Sequence, residues 1–284
     1  MKYSLMTTSI IFPMIGKLQS GVPKDKILDE YADILSNIAE IGIPAVEITS
    51  LELDLFGMDA VSAALKGAGL SVAGIIHMDQ YADTDPDRSS EITEKAKARA
   101  LNAKQLGAKN MMLAMMAQPD VKDYTRNQLQ EALIRNIRPI AVFGSEIGVK
   151  VSVENTPHAI LPVCDSNDIL ELIQAVPELS LTYDTGNMVV KLEDSLTSYH
   201  RCKQFVSHIH LKDMVYTADE NSDLTTDGRK IKAAPHGQGM IDFPSILSAL
   251  NADNYQGFLV IEYVGSENHF AQIRKAKQYF DNLI

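Results

Sequence analysis

The chain has 284 residues, 45% of them apolar, with 26 Lys and Arg against 37 Asp and Glu for a formal net charge of −11. That balance excludes a disordered, collagen-like or disulfide-stapled miniature chain and supplies apolar residues for a full core. An acidic chain with no Lys/Arg run longer than two gains little by displacing counterions from nucleic acid or anionic lipid, so a neutral or metal-chelating small molecule is the expected partner.

The first apolar stretch, Leu5–Ile15, is broken by Thr7, Thr8, Ser9 and Pro13 and reads as a first strand, not a leader. Eight strands are expected in chain order: Tyr3–Ser9, Ala45–Ser50, Ser71–Met78, Asn110–Met116, Lys150–Thr156, Ser180–Thr185, Val206–Lys212 and Gly257–Tyr263. Helices are expected between and after them at Lys24–Ile41, Gly57–Ala68, Asp87–Leu106, Arg126–Ile147, Asp165–Ala175, Glu193–Gln204, Phe243–Asn251 and Asn268–Asn282. Four of these helices end in a glycine just before the next strand, in AEIGIPAVEI, KGAGLSVAGI, QLGAKNMML and SEIGVKVSVE, where a left-handed turn closes the helix.

Eight βα units with short αβ turns and no linker predict one (β/α)8 barrel domain over residues 1–284. The competing open doubly wound sheet lacks a GxGxxG after its first strand. The longest break in the pattern, Met214–Met240, follows strand seven and reads as a lid or binding loop, with Arg229 and His236 expected to be solvated. Asp242 reads as the N-cap of the next helix, Asp213 as a cap or ion-pair residue, and the NMMLAMM cluster as barrel packing. Cys164 and Cys202 form no CxxC and read as buried thiols of a reducing compartment; with no apolar run of about 18 residues, a cytoplasmic location follows.

Barrels of this kind carry their chemistry on the C-terminal ends of strands. Strand five ends VSVENT with Glu154, strand six LTYDTG with Asp184, strand seven SHIHLKD with His210 and strand eight LVIEYV with Glu262. Period-two alternation puts His208, His210 and Lys212 on one face, an expensive arrangement inside a barrel without a function. Three hard carboxylates and one imidazole suit a single divalent cation, Mn2+, Zn2+, Mg2+ or Co2+, with positions left open for substrate.

The runs VSVENTPHA, LTYDTGNM, HIHLKD, HGQGMIDFPSIL and GFLVIEYVG, ordered through the last half of the chain, resemble the sugar phosphate isomerase/epimerase family of the xylose isomerase-like barrels. That family includes tagatose 3-epimerase, hydroxypyruvate isomerase and inosose-processing enzymes. The resemblance implies a cation, Mn2+ or Zn2+ first, held by Glu154, Asp184, His210 and Glu262. It also implies a ketose, an inosose or their phosphates as substrate, an enediolate stabilised by the cation, and Glu154 and Glu262 as acid and base on opposite faces of the sugar. Dimers and tetramers are frequent in the family. One position departs: three residues after the strand-six aspartate many relatives carry a histidine, and here Asn187 stands.

His77, Glu47, His208, Lys212, Asn187 and Arg229 complete the expected substrate-facing set. His77 and Glu47 read equally well as structural residues, and His208 and Lys212 as residues that orient His210. A dehydratase of an inosose would use the same cation and a similar enolate. A non-catalytic sugar-binding barrel would need no carboxylate on each face. An abasic-site endonuclease shares the fold but needs further histidines where this chain has Met115, Met116 and Asn187.

Overall fold

The computed structural model describes residues 1–220, 222–262 and 269–283. Its strands are β1 (Lys2–Met6), β2 (Ala45–Thr49), β3 (Ser71–Asp79), β4 (Asn110–Met115), β5 (Lys150–Glu154), β6 (Ser180–Asp184), β7 (Val206–Leu211), β8 (Asp213–Tyr216), β9 (Asp223–Leu224), β10 (Lys230–Ala234) and β11 (Phe258–Ile261). Its α-helices are α1 (Thr8–Gln19), α2 (Lys24–Glu40), α3 (Ser50–Phe56), α4 (Met58–Ala68), α5 (Pro86–Gln105), α6 (Arg126–Ile147), α7 (Ser166–Ala175), α8 (Ser195–Cys202), α9 (Phe243–Ala252) and α10 (His269–Asp281). The expected strand end at Tyr263 and helix start at Asn268 lie outside the described residues.

Eight of the strands close into a parallel barrel in the order β1-β11-β7-β6-β5-β4-β3-β2. This is the predicted (β/α)8 architecture, and β5, β6, β7 and β11 are consecutive in it. Alternation divides each strand between two cores. Leu5, Val46, Ile48, Ile209 and Leu211 face outward into the large layer shared with the helices, whereas Met6, Ile76, Met112 and Val260 meet inside the barrel. The four helix-closing glycines, Gly42, Gly69, Gly107 and Gly148, all take positive φ as read, and the free thiols Cys164 and Cys202 are buried. No helix among the described residues is long and apolar enough to cross a membrane.

Three expectations are corrected. The stretch Leu5–Ile15 is not one strand: β1 stops at Met6, and Thr7 accepts the N–H groups of Ile10 and Ile11 to start α1. Pro13 sits inside that helix, one face of which Ile10, Ile11 and Met14 anchor in the core. The segment after β2 is α3, capped reciprocally by Thr49 and Glu52. The long break after strand seven is a built antiparallel sheet, β8-β10-β9, and not an irregular lid.

Two buried carboxylates hold these connections. Asp213 accepts the N–H groups of Met214 (2.9 Å), Gly237 (2.9 Å), Gly239 (2.9 Å) and Ile241 (3.2 Å), folding the HGQGMI turn back onto β8. A Cβ at Gly239 would lie 2.4 Å from Met214 O, which is why glycine stands there. Glu52 is fully buried between β1, α2 and α3, accepting from Tyr31 Oη at 3.0 Å and from the Thr49 N–H.

Burial pushes the Glu52 carboxyl up to about 7. A carboxyl raised in the folded state adds stability that is fully present below its unfolded value near 4.5 and is lost as pH rises through 7, at most about 3 kcal/mol. Glu52→Gln keeps the acceptor for Tyr31 and removes the titration. The expected outcome is a melting temperature that falls less between pH 5 and pH 8 than that of the wild type; parallel melting curves across that range contradict it.

Candidate functional site

Glu154, Asp184, His210 and Glu262 converge at the C-terminal mouth, each offering one ligand atom within 4.8 Å of the others. Glu154 Oε1 lies 2.6 Å from His210 Nδ1, and Glu262 Oε2 lies 3.7 Å from the same nitrogen. The Asp184 and His210 side chains are fully buried, while Glu154 and Glu262 keep 14% and 10% exposure, so these two are the carboxylates of the cluster open to solvent.

The strand ends are locked by backbone bonds. The Asn155 amide bridges β5 to β6, its Oδ1 accepting the Asp184 N–H at 2.8 Å and its Nδ2 donating to Asp184 O at 2.9 Å. Asp184 Oδ1 accepts the N–H groups of Gly186 (2.8 Å) and Asn187 (2.7 Å), which leaves Oδ2 buried with no hydrogen bond and aimed at the cluster. Asn187 Nδ2 donates to Asn155 O at 2.9 Å, and its Oδ1 is likewise buried without a hydrogen bond. Thr185 Oγ1 donates to Lys212 O and accepts the Lys212 N–H, tying β6 to the end of β7. His236 is buried, contrary to its expected solvation, and donates from Nε2 to Leu211 O at 2.7 Å. Asn155 and Thr185 hold the strand ends without having been singled out in the sequence, and His236, read there as solvated, joins them; for Asn155, the signal is its place beside Glu154 in VSVENT.

Lys212 is buried beside the cluster, with Nζ 2.5 Å from Glu262 Oε1 and 4.0 Å from Asp184 Oδ2. Burial alone would lower its pKa, but Glu262, Asp184 and Glu154 outweigh this and hold it above the usual lysine value. Burial raises Asp184 well above the usual carboxylate range, with Glu262 and Glu154 adding to the shift. For Glu262, burial is outweighed by Lys212 and His210, and its carboxyl is held low. For His210, burial is outweighed by Glu47 and Glu154, and the imidazole is held well above its usual value.

Beneath the cluster, Glu47 of β2 places Oε1 2.9 Å from His208 Nε2 and Oε2 2.8 Å from His210 Nε2. These are ion-pair distances, although the rings are not aligned for linear hydrogen bonds. Glu47 and His208 are thus joined to His210 inside the barrel. His77, at the end of β3, pairs Nδ1 with Ser50 Oγ at 2.9 Å, keeps Nε2 without a partner, and is pushed down to about 4 by burial. Arg229 is not brought to the cluster. It lies half-exposed on the outer sheet, its guanidinium 4.2 Å from the Tyr216 ring centre and paired with Asp227 at 2.7 Å.

The donor set fits a divalent cation. Glu47, Glu154, Asp184 and Glu262 bring four carboxylates into the barrel beside Lys212 and His210, and Asp184 Oδ2, buried without a hydrogen bond, points where an ion would be held. Hard oxygens with one imidazole are suited to Mn2+, Mg2+, Co2+ or Zn2+.

The family described as xylose isomerase-like TIM barrel matches residues 35–283. Inosose dehydratase from Lacticaseibacillus casei is 28% identical over 171 residues, 57% of this chain and 57% of its own length. The chain therefore aligns with little more than half of that relative. Two solved structures share the fold: the probable 3-DHS dehydratase AsbF from Bacillus anthracis (TM-score 0.73, 17% identity, 99% of both chains) and D-psicose 3-epimerase with D-tagatose from Clostridium cellulolyticum H10 (TM-score 0.71, 15% identity, 89% and 93% of the chains). With the whole of β2 through α10 inside the family match and the barrel closed as the family's name describes, this chain belongs to the xylose isomerase-like TIM barrels.

Proposed function

We propose that the protein is a divalent-cation-dependent isomerase or epimerase of a small ketose, inosose or sugar phosphate. The observation that carries this reading is the pairing of two partly exposed carboxylates, Glu154 and Glu262, around a fully buried Asp184 and His210. The cation, Mn2+ or Zn2+ before Mg2+ or Co2+, would be held by Glu154, Asp184, His210 and Glu262; when bound it supplies Lewis-acid polarisation of a carbonyl and its neighbouring hydroxyl.

The side chains divide the remaining work. Glu262, held low by Lys212 and His210, is ionised near neutrality and can take a proton from the carbon next to the carbonyl. Glu154, across His210 Nδ1 from it, can return a proton to the opposite face. Lys212 keeps Glu262 oriented, and the unpaired Asn187 Oδ1 and His77 Nε2 are groups that can bond substrate hydroxyls. Arg229 has no part in this account.

Dehydration of an inosose is the second reading. It is favoured by the relative from L. casei named inosose dehydratase. Both readings begin with the same proton abstraction and part at the product, an epimer or isomer against an unsaturated or tautomerised ketone.

Two outcomes are expected. With Mn2+ present, the wild type exchanges the proton next to the carbonyl of its substrate with deuterated water, followed by NMR over a panel of ketoses and inososes. Glu262→Gln slows this by at least about a hundredfold while retaining substrate binding; exchange at the wild-type rate contradicts the proposal. Mn2+ binding should also weaken at low pH, because His210 must give up its Nδ1 proton to become a ligand and that imidazole is held well above its usual value. The Kd measured by calorimetry should rise by up to about tenfold for each pH unit from 8 to 6; a Kd independent of pH contradicts the role of His210.

A further inference from the structure

We infer that Glu47 is a positioning residue of the metal centre: its carboxylate lies against both His210 and His208 from inside the barrel and so sets the placement of the His210 ring. The inference rests on the metal-centre reading above. Glu47 is fully buried, and each of its carboxylate oxygens meets a different imidazole, Oε1 at His208 Nε2 (2.9 Å) and Oε2 at His210 Nε2 (2.8 Å).

The surrounding chain is shaped for that carboxylate. The pairing of β2 with β3 shifts register between Val46 and Glu47, which sets Glu47 opposite Gly74. A Cβ at Gly74 would lie 2.8 Å from Glu47 Oε1, so the missing side chain is the space the carboxylate occupies. The Thr7 N–H (3.0 Å) and hydroxyl (3.1 Å) both donate to Glu47 O, fixing the backbone from the β1 side.

With Glu47 against Nε2 on the inner side, the ring is placed so that Nδ1 faces Glu154 at 2.6 Å and Glu262 at 3.7 Å, on the side of the ligand cluster. Because one carboxylate spans two rings, His208 braces His210 through it; the two rings stand edge to face with centres 5.7 Å apart.

The test measures Mn2+ binding by calorimetry and the visible spectrum of the Co2+-loaded protein, for the wild type, Glu47→Gln and Gly74→Ala. The alanine variant keeps every ligand and Glu47 itself but presses on the carboxylate, and it carries the test if the glutamine variant does not fold; cooperative thermal unfolding certifies each. The expected result is one equivalent of Mn2+ in all three, bound about 10- to 100-fold more weakly in the variants, with shifted Co2+ bands reporting an altered ligand field. A variant Kd within about twofold of the wild type with unchanged bands overturns the inference alone. Two equivalents in the wild type with one lost in Glu47→Gln also overturns it, since Glu47 would then be a ligand itself. No Mn2+ bound by the wild type overturns the metal-centre reading and this inference together.

Discussion

Four carboxylates brought into one end of a barrel repel one another, and two like charges about 4 Å apart cost about 4 kcal/mol even at an effective dielectric of 20. Everything at the mouth of this protein answers that repulsion. Lys212 meets Glu262 and approaches Asp184, His210 stands between Glu47 and Glu154, and His208 takes the other oxygen of Glu47. The Asp184 carboxyl stays raised, chiefly by its burial, with Glu262 and Glu154 adding to the shift. A divalent cation at Asp184 Oδ2, the occupant proposed above, would complete the balance.

The barrel makes the convergence inexpensive in conformational terms. Consecutive strands β5, β6, β7 and β11 each contribute one group from a rigid end, so no long loop has to be ordered to assemble the site. The ends are held by short-range bonds that carry no chemistry themselves: the Asn155 amide across β5 and β6, the Thr185 hydroxyl across β6 and β7, and His236 on Leu211 O. Asp213 then turns the chain after the outer sheet back under the mouth. A displacement at any of these would move a ligand without removing it.

The strand-end groups were legible because parallel strands are apolar throughout, so a lone Glu, Asp or His at the end of such a run stands out. What sequence could not supply was depth. Alternation puts Glu47 on the interior face, but only the register shift beside it and the gap at Gly74 show where its carboxylate lies. Arg229 was read by its charge, and its cation–π contact with Tyr216 arises from the pairing of β8 with β10, which the sequence pattern hid. α1 was missed because Pro13 and the run of Thr and Ser read as a broken strand, and α3 because seven residues are too few to show a helical period. β9 has only two residues, below the length at which alternation means anything.

The central claim is that Glu154, Asp184, His210 and Glu262 close on one divalent ion. Anomalous diffraction from crystals grown with Mn2+, collected on both sides of the manganese edge, tests it most directly. The account predicts a single manganese peak within coordinating distance of His210 Nδ1, Asp184 Oδ2 and one oxygen each of Glu154 and Glu262. A fully soaked crystal with no peak among these four, or with its manganese bound elsewhere, would contradict it.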